Sequence, residues 1–305
     1  LGGLNEFSRW PRAMLTDSGG FQAYSLAVAS SSGGQKTLVQ QEEEGFVFKS
    51  HLDGTLHSLT VERAVQVQGL IGADIQMQLD VCPPADAARS VVEQAVLRTT
   101  RWARRALAAS RPERQALFGI VQGACFADLR AAHAAELAAL PFDGIALGGF
   151  SVGEANDRMH ETLREIAPQL DPERPRYLMG VGTPEDLLKA IGAGVDMFDC
   201  VLPTRNGRNG QAFTRTGRVV IKQARWRNDP RPIDESCTCP CCAGGYSRAF
   251  LRHLYMAGEI LPLRLLSLHN LHFYGQLTRA ARQAIEEGRY EAWARGALAE
   301  MVEKH

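Results

Sequence analysis

No stretch of the 305 residues is apolar for long enough to cross a bilayer as a helix, which excludes an integral helical membrane protein. An excess of either charge is also missing. Lys and Arg total 34, Asp and Glu total 34, and the formal net charge is zero, so nothing global points to nucleic acid. There is no tandem repeat, which argues against a solenoid, and no low-complexity stretch among the 305 residues. A secretory leader is not expected ahead of the seven cysteines, and seven is an odd count; a disulfide framework is therefore not expected, and the chain is expected to be cytoplasmic. The first residue is Leu1 rather than methionine, with Gly2-Gly3 after it, so an N-terminal segment is expected to be absent. With 45% hydrophobic residues the chain can bury a substantial core, as one large domain or two smaller ones.

Four of the seven cysteines fall within six residues, Cys237-Thr-Cys239-Pro-Cys241-Cys242, and 26 residues separate this cluster from His269. Three thiolates in a Cys-x-Cys-x-x-Cys array plus one imidazole make a closed tetrahedral shell, which suits a structural zinc ion and leaves no open position for catalysis. Cys241 is the spare thiol, and spacing leaves open a swap with Cys242. A disulfide pair or reactive surface thiols is the competing reading. Charge is local where it is not global. From Thr204 to Arg231 stand eight basic residues (Arg205, Arg208, Arg215, Arg218, Lys222, Arg225, Arg227, Arg231) against one acid, Asp229. Such a stretch attracts phosphate, or it is a solvated face balanced by carboxylates folded nearby.

Between residues 13 and 200 short apolar runs end in a polar or glycine residue, and a longer helix-like stretch follows. The runs are 13–16 ending at Asp17, 75–79 ending at Asp80, 117–121 ending at Gln122, 144–147 ending at Gly148-Gly149, 176–179 ending at Gly180 and 196–198 ending at Asp199. This alternation predicts βα units and a parallel sheet. Helices are expected over 87–109 (inward stripe Val91, Val92, Ala95, Val96, Leu107), 127–140 and 158–166. Another is expected to begin at Thr183-Pro184-Glu185-Asp186, with a capping hydroxyl, proline in the first turn and a carboxylate three residues after the cap. Phe46 to Leu59 breaks the rhythm, and its Asp53-Gly54 predicts a hairpin inserted between βα units. Chemistry at six strand ends favours an α/β (β/α)8 TIM barrel, whose active site is built at the C-terminal rim, over a doubly wound sheet with one switch point. Only six of the eight strands are legible; the others are expected in the absent N-terminal segment. We place the barrel at 1–231 and a zinc-binding subdomain at 232–305, with helices over 247–257, 268–287 and 291–302.

Asp17 and Asp199 form a carboxylate pair suited to glycosidic chemistry, one attacking C1′ and the other handling protons. Each alone also reads as a turn or cap residue. Asp80 at a third strand end offers two acceptors side by side, matching the N1–H and amino donors of guanine. Gln122 and the Gly149 N–H could serve the carbonyl edge, and Phe21 a stacking face. Asp80 as a helix cap, Gln122-Gly123 as a turn and Phe21 as core are the plainer alternatives.

Together these stretches resemble the tRNA-guanine transglycosylases over essentially the whole chain. The matching motifs are 16–22 (TDSGGFQ), 118–123 (FGIVQG), 176–182 (RYLMGVG), 196–210 (DMFDCVLPTRNGRNG) and the Cys-x-Cys-x-x-Cys with its distal histidine. The resemblance implies an ATP-independent exchange of guanine at the wobble position of GUN-anticodon tRNAs for 7-aminomethyl-7-deazaguanine (preQ1). It implies Asp199 as nucleophile and Asp17 as general acid/base. The base would be bound by Asp17, Ser18, Gly19, Gly20, Phe21, Asp80, Gln122, Gly149, Phe150 and Met179. RNA would meet Gly180, Val181, Gly182, Thr183, Pro184, Glu185, Asp186, Thr204, Arg205, Asn206, Gly207 and Arg208. Cys237, Cys239, Cys242 and His269 would hold one structural Zn2+. A homodimer is implied, with Tyr246, Phe250 and His253 as candidate contacts. Cys82 and Val152 are similar to the bacterial, preQ1-using pattern rather than the queuine-using one. Val81 stands where bacterial members carry glutamate, and Phe150 where they carry leucine; Glu154 is retained, and the Phe150 carbonyl would meet the aminomethyl nitrogen. A non-catalytic tRNA-binding subunit of the same fold, a queuine-using enzyme and an unrelated barrel glycosidase are the alternatives. The transglycosylase reading requires Asp17, Asp80 and Asp199 to converge on one purine-sized hollow.

Overall fold

The computed structural model describes residues 2–22, 39–50, 52–150, 153 and 155–302. The chain divides into two compact units, one running to Met179 and including Ala193–Met197, the other comprising Gly180–Gly192 and everything from Phe198 onward.

The first unit is built on a parallel sheet. Its strands are β1 (Leu15–Thr16), β5 (Ile75–Met77), β6 (Ala116–Val121), β7 (Gly144–Leu147) and β8 (Arg176–Leu178), and β9 (Met197–Phe198) closes the order β1-β5-β6-β7-β8-β9. Every pair from β1–β5 to β7–β8 is parallel, with Leu15 opposite Ile75, Met77 opposite Phe118, Val121 opposite Leu147 and Leu147 opposite Leu178. The strands fall where the sequence rhythm puts them, in the βα order expected for six strands of the barrel. Alternate residues Met77, Phe118, Ile120, Ala146 and Tyr177 pack as one core with Leu15, Ile75 and Met179 around it. The residues between them, such as Leu117 and Leu147, are equally buried, as parallel strands covered on both faces require.

The expected hairpin is present. β3 (Gly45–Lys49) and β4 (Leu56–Thr60) pair antiparallel around Asp53-Gly54, and β2 (Val39–Gln41) adds a third strand. Helices follow at 89–108, 127–138 and 156–166, each packed on the next. In the first of these, Val91 does not belong to the buried stripe but is exposed. The inward face runs Val92, Ala95, Val96, Thr99, Trp102, Ala103, Ala106, a 3.6-residue stripe one step out of phase with Val91. A helix over 61–71, unread in the sequence, is capped by Thr60, whose hydroxyl accepts from Arg63 N–H.

The second unit is helical. Its helix over 184–192 begins as expected: Thr183 Oγ1 accepts from Asp186 N–H and Asp186 Oδ2 accepts from Thr183 N–H, a reciprocal capping box. Leu187 and Leu188 are buried against Phe213, Phe273 and Leu277. Helices at 248–256 and 290–302 match the sequence reading, but the long helix starts at Ile260, eight residues earlier than the expected Leu268. Pro262 obscured this start; in a first turn its missing N–H has no intrahelical partner to lose. The basic stretch is itself structured, as a helix over 202–208 and a hairpin of β10 (Gln211–Thr214) with β11 (Gly217–Val220).

Candidate functional site

In the first unit the C-terminal strand ends carry the chemistry. Asp17 follows β1 directly, is exposed, and accepts the Ser18 N–H on Oδ1 at 2.8 Å. Ser18 is buried, and its hydroxyl accepts from Gly20 N–H at 3.4 Å. Asp80 lies three residues past β5 and is 6% exposed. Gly20 is what lets Asp80 approach this turn, because a Cβ there would stand 2.7 Å from Asp80 Oδ1 and 2.9 Å from its backbone oxygen. Gly19 adopts a φ of 92°, a left-handed conformation that favours glycine. Phe21 is 48% exposed and so is not core.

Burial, and next the negative charge of Asp17, push the Asp80 carboxyl up to about 7, with a hydrogen bond from Gln122 working in the other direction. Gln122 follows β6, is buried, and donates Nε2–H to Asp80 Oδ2 at 2.6 Å. Its Oε1 is buried and has no hydrogen-bond partner among the described residues. Gly149 follows β7 at φ 67°, and a Cβ there would stand 2.3 Å from that Oε1. Phe150 is buried, with its ring beneath the Arg130 guanidinium at 3.8 Å. Met179, after β8, borders the sheet core. Asp80, Gln122 and Gly149 are thus in contact at three adjacent strand ends, and Asp17 stands at the end of the next strand, close enough for its charge to act on Asp80. A buried acid, a buried amide and an N–H-bearing turn held this close make a set for a small, flat, donor- and acceptor-rich ligand.

Asp199 belongs to the second unit. It is exposed one residue after β9, and its Oδ1 accepts the Gly180 N–H at 2.7 Å. Within 180–186 only Gly180 is exposed; Val181, Gly182, Pro184 and Asp186 are buried, and Thr183 and Glu185 half-buried. The Gly182 carbonyl accepts the Tyr274 hydroxyl at 2.7 Å. Of 204–208, Arg205 and Arg208 are exposed, Thr204 and Asn206 half-buried, and Gly207 buried where a Cβ would meet Ser267 N at 2.7 Å. All eight basic residues of the stretch are exposed. Among the described residues only two of them form ion pairs, Arg218 with Glu185 and Arg231 with Asp229. The cationic face is therefore largely unneutralised within its own unit.

The cysteine cluster also lies in this unit. The Nδ1 of His269 is 3.6, 3.5 and 3.4 Å from the sulfurs of Cys237, Cys239 and Cys242, and the four donor atoms lie within 4.8 Å of one another. An ion about 2.3 Å from each sulfur and about 2.0–2.1 Å from the nitrogen, at tetrahedral angles, requires S···N separations of about 3.5 Å. The residues fit a metal without rearrangement. His269 Nε2 donates to the Phe213 carbonyl at 2.8 Å, which fixes the tautomer and turns Nδ1 toward the sulfurs. The swap left open by spacing is decided: Cys242 joins the cluster, and Cys241 is packed in the apolar core with Leu251, Leu265 and Leu266.

The family profile for queuine tRNA-ribosyltransferase matches residues 1–303. The chain belongs to the queuine tRNA-ribosyltransferase family. It is 67% identical over 298 residues to the queuine tRNA-ribosyltransferase of Sorangium cellulosum (strain So ce56), covering 98% of this chain and 73% of that protein. It is 50% identical over 295 residues to that of Solidesulfovibrio magneticus, covering 96% and 76%, and 49% identical over 305 residues to that of Agrobacterium fabrum, covering 97% and 78%. Queuine tRNA-ribosyltransferases are tRNA-guanine transglycosylases, so the resemblance carried by the rim motifs and the cysteine array holds across the whole chain.

Two residues at this family's site escaped the sequence reading. Arg130 and His133 lie on the inward face of the helix over 127–138, and both are fully buried. His133 Nδ1 accepts the Gln122 N–H at 3.0 Å, and burial holds its pKa down at about 4, so it is neutral. The one signal in sequence was their i, i+3 spacing on the face otherwise made of Ala134 and Leu137. Val152 and Glu154, which bear on the choice of incoming base, lie outside the described residues. No described helix is long and apolar enough to cross a membrane.

Proposed function

We propose that the protein exchanges guanine at the wobble position of GUN-anticodon tRNAs (those for Asp, Asn, His and Tyr) for 7-aminomethyl-7-deazaguanine through a covalent enzyme–RNA intermediate. The observation that carries this is the buried Asp80–Gln122 hydrogen bond beside the Gly149 turn, with Asp17 at the neighbouring strand end. Asp80 accepts the N1–H and amino group of the purine, and Gln122 and the Gly149 N–H donate to its carbonyl. Two donors aimed at the ionised form draw the Asp80 pKa down from about 7 when the base enters. Ser18 to Phe21 line the hollow, Met179 borders it, and the Phe150 carbonyl receives the aminomethyl nitrogen.

The Asp199 carboxylate attacks C1′ of the ribose. The C1′–N9 bond breaks with its electron pair going to the base, which takes up a solvent proton relayed by Asp17, and an ester joins C1′ to Asp199. The incoming base then loses a proton to Asp17, attacks C1′ and displaces Asp199. Two inversions give retention, and no nucleotide or redox partner is consumed. The Gly180 N–H orients the nucleophile. The target nucleotide has to leave its stack to be reached. Arg205, Arg208 and the exposed cations of the β10–β11 hairpin take phosphate. The cluster at Cys237, Cys239, Cys242 and His269 holds one Zn2+ whose part is structural, since its donors close the shell. A homodimer, with the stacked Tyr246–Phe250 pair (ring centroids 5.9 Å apart) at the contact, and a cytoplasmic location complete the proposal.

The test is incorporation of radiolabelled guanine into a GUN-anticodon tRNA by full-length protein. Label enters the tRNA, and Asp199→Ala abolishes it. Folded, metal-loaded protein that binds the tRNA but incorporates nothing is instead a non-catalytic subunit. Competition between preQ1 and queuine for the same tRNA separates the two incoming bases.

A further inference from the structure

We propose that Arg130 is a positioning residue for base recognition, a buried guanidinium that sets the direction of the Gly149 N–H and fixes Gln122 beside it. This rests on the proposed base site. Arg130 is 0% exposed and spreads its donors over two strand-end turns at once. Nε donates to the Ala124 carbonyl at 2.6 Å, on the turn after β6, and Nη1 to the carbonyl of Val121, the last residue of β6, at 3.4 Å. Nη2 donates to the Gly148 carbonyl at 2.9 Å and the Gly149 carbonyl at 3.3 Å, on the turn after β7. The guanidinium carbon Cζ lies 3.8 Å from the Phe150 ring centroid, a cation–π contact that adds to the grip.

Peptide planarity turns these contacts into aim. The Gly148 carbonyl and the Gly149 N–H belong to one trans peptide and point in opposite directions. Pinning the oxygen against Arg130 therefore points the N–H away from it. A charged donor on that oxygen also polarises the peptide and strengthens the N–H as a donor. The same holds for the Val121–Gln122 peptide, whose oxygen meets Arg130 while its N–H meets His133 Nδ1. One helix face thus grips both sides of that unit. The turns need such a grip. Ala124 has φ 47° and Gly149 φ 67°, and both sit in the left-handed region, which an alanine disfavours. Gly123 is tied to the same side chain, because a Cβ there would stand 2.6 Å from Arg130 Cγ. Lysine is no substitute, since a single ammonium cannot span four carbonyls in a fixed fork.

The experiment uses full-length Arg130→Lys and Arg130→Met. Both are expected to raise KM for free guanine at least tenfold, with KM for tRNA and kcat within threefold of wild type. Hydrogen exchange of peptides 119–126 and 144–150 is expected to accelerate together. A folded variant with wild-type KM for guanine overturns the proposal, as does a fall in kcat with both KM values unchanged, the mark of a merely structural role. If neither variant folds, Gly123→Ala, whose Cβ would stand 2.6 Å from Arg130 Cγ and 3.0 Å from Arg130 N, shifts Arg130 as a whole and has to show the same rise in guanine KM; an unchanged value there also overturns it. If wild-type protein itself exchanges no guanine, the base-site reading fails. The grip is then judged by hydrogen exchange alone, and no joint acceleration of the two peptides sinks it.

Discussion

The two units hold their functional groups in place by different means. In the first, position comes from backbone. Parallel strands set four turns side by side, and glycines at 20 and 149 let Asp80 and Gln122 come closer than any Cβ permits. In the second, position comes from side chains converging on a point. Three sulfurs and one imidazole crowd within 4.8 Å, while the β10–β11 hairpin and the helices over 240–243 and 260–286 pack around them. A sheet-built site is specified residue by residue along each strand. A subdomain gathered around four such donors would depend on the ion they can hold. The first should yield by degrees to substitution, and the second should fail at once when the ion is withdrawn.

Metal removal is the strongest way to break this contrast. Structural zinc contributes about 10–16 kcal/mol of apparent binding free energy in small sites, as much as the whole stability of a typical domain. Chelation, or His269→Ala, is expected to collapse hydrogen-exchange protection in peptides spanning 237–243 and 260–273, while strands β5 to β7 keep theirs. Metal analysis should count about one zinc per chain beforehand. Retained protection around the cysteines after complete metal loss contradicts the account of the second unit.

Titration of Asp80 probes the first unit at an intermediate scale. The folded state holds its proton up to about 7, whereas the unfolded chain releases it near about 3.9. The folded state therefore binds more protons in between. The stability this group contributes is fully present below the unfolded value and is lost as pH rises through the folded one, with a slope of at most about 1.4 kcal/mol per pH unit. His133 runs the other way. Its folded value near 4 lies below its unfolded one, so its contribution is lost as pH falls. The two slopes oppose each other below about 6.5. The difference between wild type and Asp80→Asn isolates Asp80, and denaturant melts from pH 5 to 8 should show wild type losing stability relative to the variant. A flat difference denies that Asp80 is buried and protonated. In the active protein, KM for guanine should rise as pH drops below 7, because the protonated acid accepts less well.

The smallest effect lies at the capping box of the second unit. Thr183→Ala removes one of its two reciprocal bonds and is expected to cost about 1 kcal/mol. Calorimetry checks it, and a loss several times larger means that Thr183 does more than cap.

These sizes track what could be read before any coordinates. The strand ends at Asp17, Asp80, Gln122 and Gly149 were legible because short apolar runs punctuated by polar residues have few other meanings. Thr183-Pro184-Glu185-Asp186 was legible because capping chemistry is local. The ligand set was legible except for Cys241 against Cys242, where adjacent thiols differ only in which way the chain turns. Other features are set by partners far away in sequence. The helix over 202–208 contains Pro203, Asn206 and Gly207, poor helix formers, and it is held by Ser267 against Gly207. The helix over 61–71 turns Gln68 inward, where its amide bonds Met77 and Thr16 instead of extending an apolar stripe. Arg130 reads as a solvated charge until the carbonyls of two distant turns are seen around it.

The covalent intermediate gives the most direct measurement. Full-length protein is incubated with a GUN-anticodon tRNA, released guanine is removed by dialysis, and the mixture is quenched in acid and analysed by mass spectrometry. The expected result is an RNA ester on the peptide that contains Asp199, absent from Asp199→Ala. Guanine release with no adduct, or an adduct on Asp17 instead, contradicts the assignment of nucleophile and proton carrier on which the exchange depends.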